Sequence, residues 1–218
     1  MAETPVWIDI PGHGSVSGLW SEPAEAEWTL VYAPGAGSSL RDPFGNYASG
    51  ALAAAGLACL RFQFPYSEAG RKAPDRPPLL EATWRAALET ARSRSRRVVA
   101  GGRSMGGRIA SQVVATGEAV DALSLFAYPL HPPGRPEQRR DAHLPLIAVP
   151  TLFCCGDRDT FGTVEELAQA ASIMPCARLR VLAGADHGFS TLKASGRRRV
   201  DVWQEAVEAL QAFLRDLP

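Results

Sequence analysis

Apolar, β-rich runs alternate with amphipathic helical patterns along this chain. The alternation predicts an α/β fold, a mostly parallel sheet with helices on both faces. The strand-length runs are Trp28 to Ala33, which is almost continuously apolar, Leu57 to Phe64, Ala122 to Tyr128 and Thr151 to Cys155. Between them, Leu80, Trp84, Ala87, Leu88 and Ala91 keep one helical face, as do Val200, Trp203, Val207, Leu210 and Leu214 near the C-terminus. The length, 218 residues, suits one domain spanning residues 1–218.

The elements follow in order. Val6 to Ile10 and Ser15 to Trp20 read as strands around the turn PGHG. Ala48 to Ala55 reads as a helix stopped by Gly56. Residues 65–78, PYSEAGRKAPDRPP, form a loop by their prolines, and Leu79 to Arg92 a helix. Arg97 to Ala100 is a short strand running into GGRSMGG, followed by the helix Ile109 to Ala115. Residues 129–145 are Pro-rich, with little helical pattern. Thr163 and Glu166 have capping-box spacing for a helix Val164 to Ile173, and Arg178 to Leu182 is the last strand.

Composition narrows the function. Lys plus Arg equals Asp plus Glu, 23 each, so no excess charge points to nucleic acid or an anionic membrane. The cluster Arg92, Arg94, Arg96 and Arg97 reads as a solvated helix end. The opening MAETPVWIDIPG lacks the pattern of a secretory signal, and Ala51 to Cys59 is too short to span a bilayer. The four cysteines, Cys59, Cys154, Cys155 and Cys176, match neither a metal site nor a disulfide framework, so a cytoplasmic setting is expected.

In a parallel sheet, chemistry belongs at the carboxyl ends of the strands. Gly102-Arg103-Ser104-Met105-Gly106 fits G-x-S-x-G and lies between a strand and a helix, the context of a nucleophile elbow. Glycine is required two residues either side of the serine because a side chain there would strike neighbouring backbone. A serine hydroxyl needs a base. Of the four histidines, His13 sits in a hairpin turn, and His131 and His143 in or beside the Pro-rich segment. His187, in GADHGF just past the last strand, is the expected base. Its carboxylate partner follows another strand end, in Gly156-Asp157-Arg158-Asp159, with Asp159 preferred and Asp157 second. Asp186 adjoins the histidine, and adjacent side chains seldom meet in this way. An oxyanion would take the N–H of Met105 and, from the loop Pro34 to Ser39, that of Ala36. No G-K-[ST] follows that loop, which argues against phosphate binding there.

The motifs PGAG, GRSMGG, GDRD and GADHGF, each after a strand, resemble a small α/β-hydrolase of the compact dienelactone-hydrolase-like group. The run Arg61-Phe62-Gln63-Phe64-Pro65-Tyr66 with GRKAPDRPP resembles bacterial relatives of the hydrolase-like domain in a subunit of the NSL histone acetyltransferase complex. The resemblance implies the α/β-hydrolase fold, a mostly parallel eight-stranded sheet whose second strand is antiparallel, and a triad of Ser104, Asp159 and His187. No insertion is long enough for a large cap domain. Pro34 replaces the histidine many members carry at the oxyanion loop, and dienelactone hydrolases proper use a cysteine nucleophile, so their substrate does not transfer.

The expected activity is hydrolysis of a small or medium carboxylic ester, or a thioester, by a monomer or homodimer needing no metal or organic cofactor. The partner is then a small-molecule ester. Residues 65–78 and 129–145 should overhang the pocket, with Arg71, Lys72, Arg76, Arg135, Arg139 and Arg140 available to an acidic ester if they are not simply solvated. Tyr66 and Tyr128 could form a wall or give a hydrogen bond. The alternative is a catalytically silent interaction module on the same fold.

Overall fold

The structure, a computed structural model, describes residues 3–23 and 25–218. The first two residues of the N-terminal stretch and Ala24 lie outside the described residues.

Eight strands form one sheet in the order β1-β2-β4-β3-β5-β6-β7-β8. They are β1 (Thr4–Ile10), β2 (Gly14–Ser21), β3 (Trp28–Ala33), β4 (Ala58–Phe62), β5 (Arg97–Arg103), β6 (Ala122–Phe126), β7 (Thr151–Gly156) and β8 (Ala177–Leu182). β2 runs antiparallel to both of its neighbours, β1 and β4, and every pairing from β4 to β8 is parallel. The expected sheet, its antiparallel second strand and the absence of a large cap are all present.

Helices α1 (Pro43–Ala54) and α6 (Arg199–Arg215) cover one face, burying Phe44, Leu52, Val202 and Leu210. Helices α3 (Pro77–Arg92), α4 (Met105–Ala115) and α5 (Val164–Ser172) cover the other, burying Trp84, Leu88, Ile109, Val113 and Leu167. A one-turn helix, α2 (Pro65–Glu68), starts the segment read as loop. Pro65 presets its first φ, and the Phe64 carbonyl accepts from the N–H groups of Ser67 and Glu68. Each large apolar side chain buried this way contributes roughly 1.5–3 kcal/mol.

Two boundaries differ usefully from the sequence reading. Helix α1 begins five residues earlier than its Ala-rich stretch, because the Asp42 carboxylate caps it by accepting from Gly45 N–H (2.9 Å). Strand β5 runs through both glycines to Arg103 rather than ending at Ala100. Gly101 is in strand because its neighbours leave no room for more: an added Cβ would lie 2.9 Å from the Ser124 carbonyl oxygen and from Leu30 Cδ1. The Thr163–Glu166 capping box forms as read.

The chain leaves β3 toward β4 on one side and returns to form β5 on the other, so β3 and β5 flank the reversal of strand order. A cleft opens at such a point, at the carboxyl ends of the strands. The link from β6 to β7 carries only a 3₁₀ turn, Leu144–Leu146, in place of a helix. It is anchored on α4 by the buried Leu144 and by His143 Nε2, 2.7 Å from Ser111 Oγ.

Burial, aided by the nearby Arg108 charge, depresses the His143 imidazole from 6.5 to about 4. The unfolded chain therefore binds the extra proton between these values. Its contribution to stability is present at neutral pH and lost as pH falls from 6.5 toward 4. Urea unfolding of His143→Gln should show a deficit relative to the parent that is largest near pH 7 and shrinks toward pH 5.

Candidate active site

The elbow is built by close backbone approach. Ser104, between β5 and α4, holds φ 52° and ψ −119°, a conformation an L-residue seldom adopts unless its surroundings impose it. Here they do. A Cβ on Gly102 would lie 2.6 Å from the Ala33 carbonyl oxygen and 2.8 Å from Gly107 N. One on Gly106 would overlap the carbonyl oxygens of Ala33 and Pro34, and one on Gly107 would lie 2.6 Å from that of Gly102. The turn is pinned by Ser104 N–H donating to the Phe126 carbonyl (2.9 Å) and by buried Trp84, whose Nε1–H donates to the Gly106 carbonyl (3.1 Å).

Three sequence-predicted residues meet. Ser104 Oγ lies 2.9 Å from His187 Nε2, and His187 Nδ1 lies 2.8 and 3.0 Å from the Asp159 carboxylate oxygens. Nδ1 faces only acceptors there, so it carries the ring proton and Nε2 is left to accept. Asp159 is buried, with its side chain fully covered and Oδ1 accepting from Phe161 N–H (2.8 Å). The Phe161 ring stacks on the imidazole, centroids 4.0 Å apart, and helps fix its plane.

The other acids do local work. Asp157 accepts from Gly184 N–H (2.8 Å), and Asp186 accepts from Gly188 and Ser190 N–H (2.8 Å each). Both shape the loop that presents His187. His13 is exposed, His131 pairs with Glu166 (3.1 Å), and neither these nor His143 lines the cavity at Ser104.

The loop after β3 brings Gly35 against the serine: a Cβ there would lie 3.5 Å from Ser104 Cβ. Gly37, with φ +73°, donates its N–H to Tyr66 Oη (3.2 Å), so a buried tyrosine braces this loop. Ala36 and Met105 border the same cavity as Ser104 and His187. Met105 is the first residue of α4, where N–H groups have no intrahelical acceptor.

The cavity has a volume of ≈ 490 Å³, and Pro74, Asp75, Pro129 and Arg140 bring both expected loops to its wall. Of the loop cations, only Arg140 reaches it; Arg71 is drawn to Asp75 (2.6 Å) and Arg139 to Asp141 (2.7 Å). Tyr128 is buried and donates to the Arg140 carbonyl (2.6 Å). Sequence reasoning missed Arg103, Arg108 and Phe161 as lining residues. The signal for Arg108 was its spacing, one helical turn beyond Ser104.

Burial pushes the Cys59 and Cys155 thiols up to about 12, so both stay protonated in the core. Among the described residues no group of three or more His, Cys, Asp or Glu could hold a metal ion, and no helix is long and apolar enough to cross a membrane.

A doubly wound sheet carrying a serine elbow, with an imidazole and a buried carboxylate in line, defines a hydrolase-type α/β architecture. The chain belongs to the alpha/beta hydrolase domain family, whose sequence model matches residues 26–215. Among solved structures, an alpha-beta serine hydrolase homologue from Coxiella burnetii aligns with a TM-score of 0.76 at 21% identity, over 96% of this chain and 98% of that one. A dienelactone hydrolase from Anabaena variabilis aligns at 0.75 and 23% identity, over 95% of each chain. A Xanthomonas campestris protein described as a serine hydrolase without lid aligns at 0.74 and 19% identity, over 100% of this chain and 96% of that one.

Gly106→Ala should lose about 1–3 kcal/mol in urea unfolding, since the methyl group meets backbone that cannot rotate away. Gly50→Ala, on the exposed face of α1 with nothing within 4 Å of the new Cβ, should be neutral or gain about 0.5–1 kcal/mol.

Proposed function

We propose that this protein is a serine hydrolase that cleaves a carboxylic ester, or a thioester, through an acyl-enzyme on Ser104. The observation that carries the reading is the unbroken hydrogen-bond line from Ser104 Oγ through His187 to buried Asp159.

Ser104 Oγ attacks the substrate carbonyl carbon as its proton passes to His187 Nε2. The imidazolium is stabilised by Asp159, which remains ionised and keeps the ring in one tautomer. The carbonyl oxygen gains negative charge and is held by the N–H groups of Met105 and Ala36. The bond from carbon to the leaving oxygen or sulfur breaks, and that atom takes the proton from Nε2. Water then gives a proton to Nε2 and its oxygen to the acyl carbon. The carbon–Oγ bond breaks, the proton returns to Ser104, and the acid departs. The fold of related solved structures, including the serine hydrolase homologue and the dienelactone hydrolase, supports this choice of chemistry. The cavity suits a small or medium acyl ester.

The test is steady-state hydrolysis of short p-nitrophenyl esters. Ser104→Ala should lower kcat/KM by at least about 10³-fold, and Asp159→Asn by roughly 10³–10⁴-fold through loss of the correct tautomer. Asp157→Asn should cost less than about tenfold, because that carboxylate only shapes the histidine loop. Full activity in Ser104→Ala would overturn the reading.

A further inference from the structure

The cavity beside Ser104 and His187 is lined by three guanidinium groups, Arg103, Arg108 and Arg140, and by one carboxylate, Asp75. Asp75 is already satisfied, Oδ2 by Tyr66 N–H (2.7 Å) and Oδ1 by Arg71 (2.6 Å). Arg103 faces Asp42 at 3.5 Å. Arg108 and Arg140 are different. Both are half-buried, and among the described residues every other arginine that is buried or half-buried has a carboxylate within 4.0 Å. These two have only neutral acceptors: Arg108 Nη1 donates to Gln112 Oε1 (3.3 Å), and Arg140 Nη1 to the Pro129 carbonyl (3.3 Å).

Holding two partly desolvated cations near each other is unfavourable unless an anion joins them. Burial above all, with the Arg140 charge second, draws the Arg108 guanidinium below its ordinary value. Both groups are nevertheless held in place. Arg108 N–H donates to the Ser104 carbonyl (3.0 Å), which fixes it one helical turn from the serine. Arg140 is clamped through its backbone, N–H to the Leu130 carbonyl (2.8 Å) and carbonyl to Tyr128 Oη–H (2.6 Å).

We propose that Arg108 and Arg140 form the recognition site for a carboxylate carried by the ester substrate, and so act as specificity-determining residues. The planar fork of arginine matches the two oxygens of a carboxylate, and charge-assisted hydrogen bonds of this kind are the strong ones. The proposal rests on the reading of Ser104 as nucleophile and names the substrate class for that site.

The test compares matched esters. Monoethyl glutarate against ethyl pentanoate places the charge on the acyl side; 4-acetoxybenzoate against 4-acetoxybenzamide places it on the leaving-group side. In the parent protein kcat/KM should favour the anionic ester in one pair by on the order of tenfold or more. Arg108→Gln and Arg140→Gln should each bring that ratio to near one. Arg140 lies on a loop, so its variant keeps the test valid if Arg108→Gln does not fold. No anionic preference in either pair, or a preference that both variants retain, overturns the proposal. Calorimetric titration of Ser104→Ala with glutarate and with 4-hydroxybenzoate, one for each side, separates this idea from the hydrolase reading. Binding of either that weakens about tenfold when Arg140→Gln is added keeps the carboxylate site even if no ester is cleaved, and absence of binding of both removes it.

Discussion

The carbonyl oxygen of Ala33, at the end of β3, lies where any side chain on Gly102 or Gly106 would have to sit. That contact is the constraint on which the site depends. It lets β5 and the start of α4 press against β3 tightly enough to hold Ser104 at a positive φ, and the strained turn lifts Oγ above the sheet. Ala33 pairs with Gly102 across the same two strands, so the loop after β3 and the N-terminus of α4 converge on one spot. The reversal of strand order between β3 and β5 makes that spot a cleft rather than a covered surface.

The other half of the site comes from β7 and β8 and follows the same logic. A Cβ on Gly156 would overlap the Ala185 carbonyl oxygen, so the two strand ends can close on each other only with glycine there. Closure brings Asp159 under His187. Asp157 and Asp186 lie within two residues of these groups, yet both are spent on backbone N–H groups. Three similar acids therefore serve different ends, and backbone geometry decides which one meets the imidazole.

Much of this was legible in the residues. The ends of β3 are legible because an inner parallel strand is buried on both faces, so no alternating pattern blurs them. Ser104, Asp159 and His187 could be singled out because each stands after a strand in a Gly-rich turn. Other features were hidden for physical reasons. Gly101 and Gly102 look like turn residues and are strand, since crowding by neighbours rather than propensity places them. The start of α1 was hidden because Gly45 and Asn46 are poor helix formers, and the cap from Asp42 outweighs them. Pairing among charges was also invisible: nothing in the sequence distinguishes Arg71, tied to Asp75, from Arg108, which has no carboxylate.

The most direct measurement is labelling of the folded protein with a fluorophosphonate probe, with the modified residue located by mass spectrometry. An activated serine at the elbow predicts a single adduct on Ser104, strongly diminished in His187→Ala. A folded protein that takes no label, or one that labels equally well without His187, would contradict the claim that these residues form a working nucleophile and base.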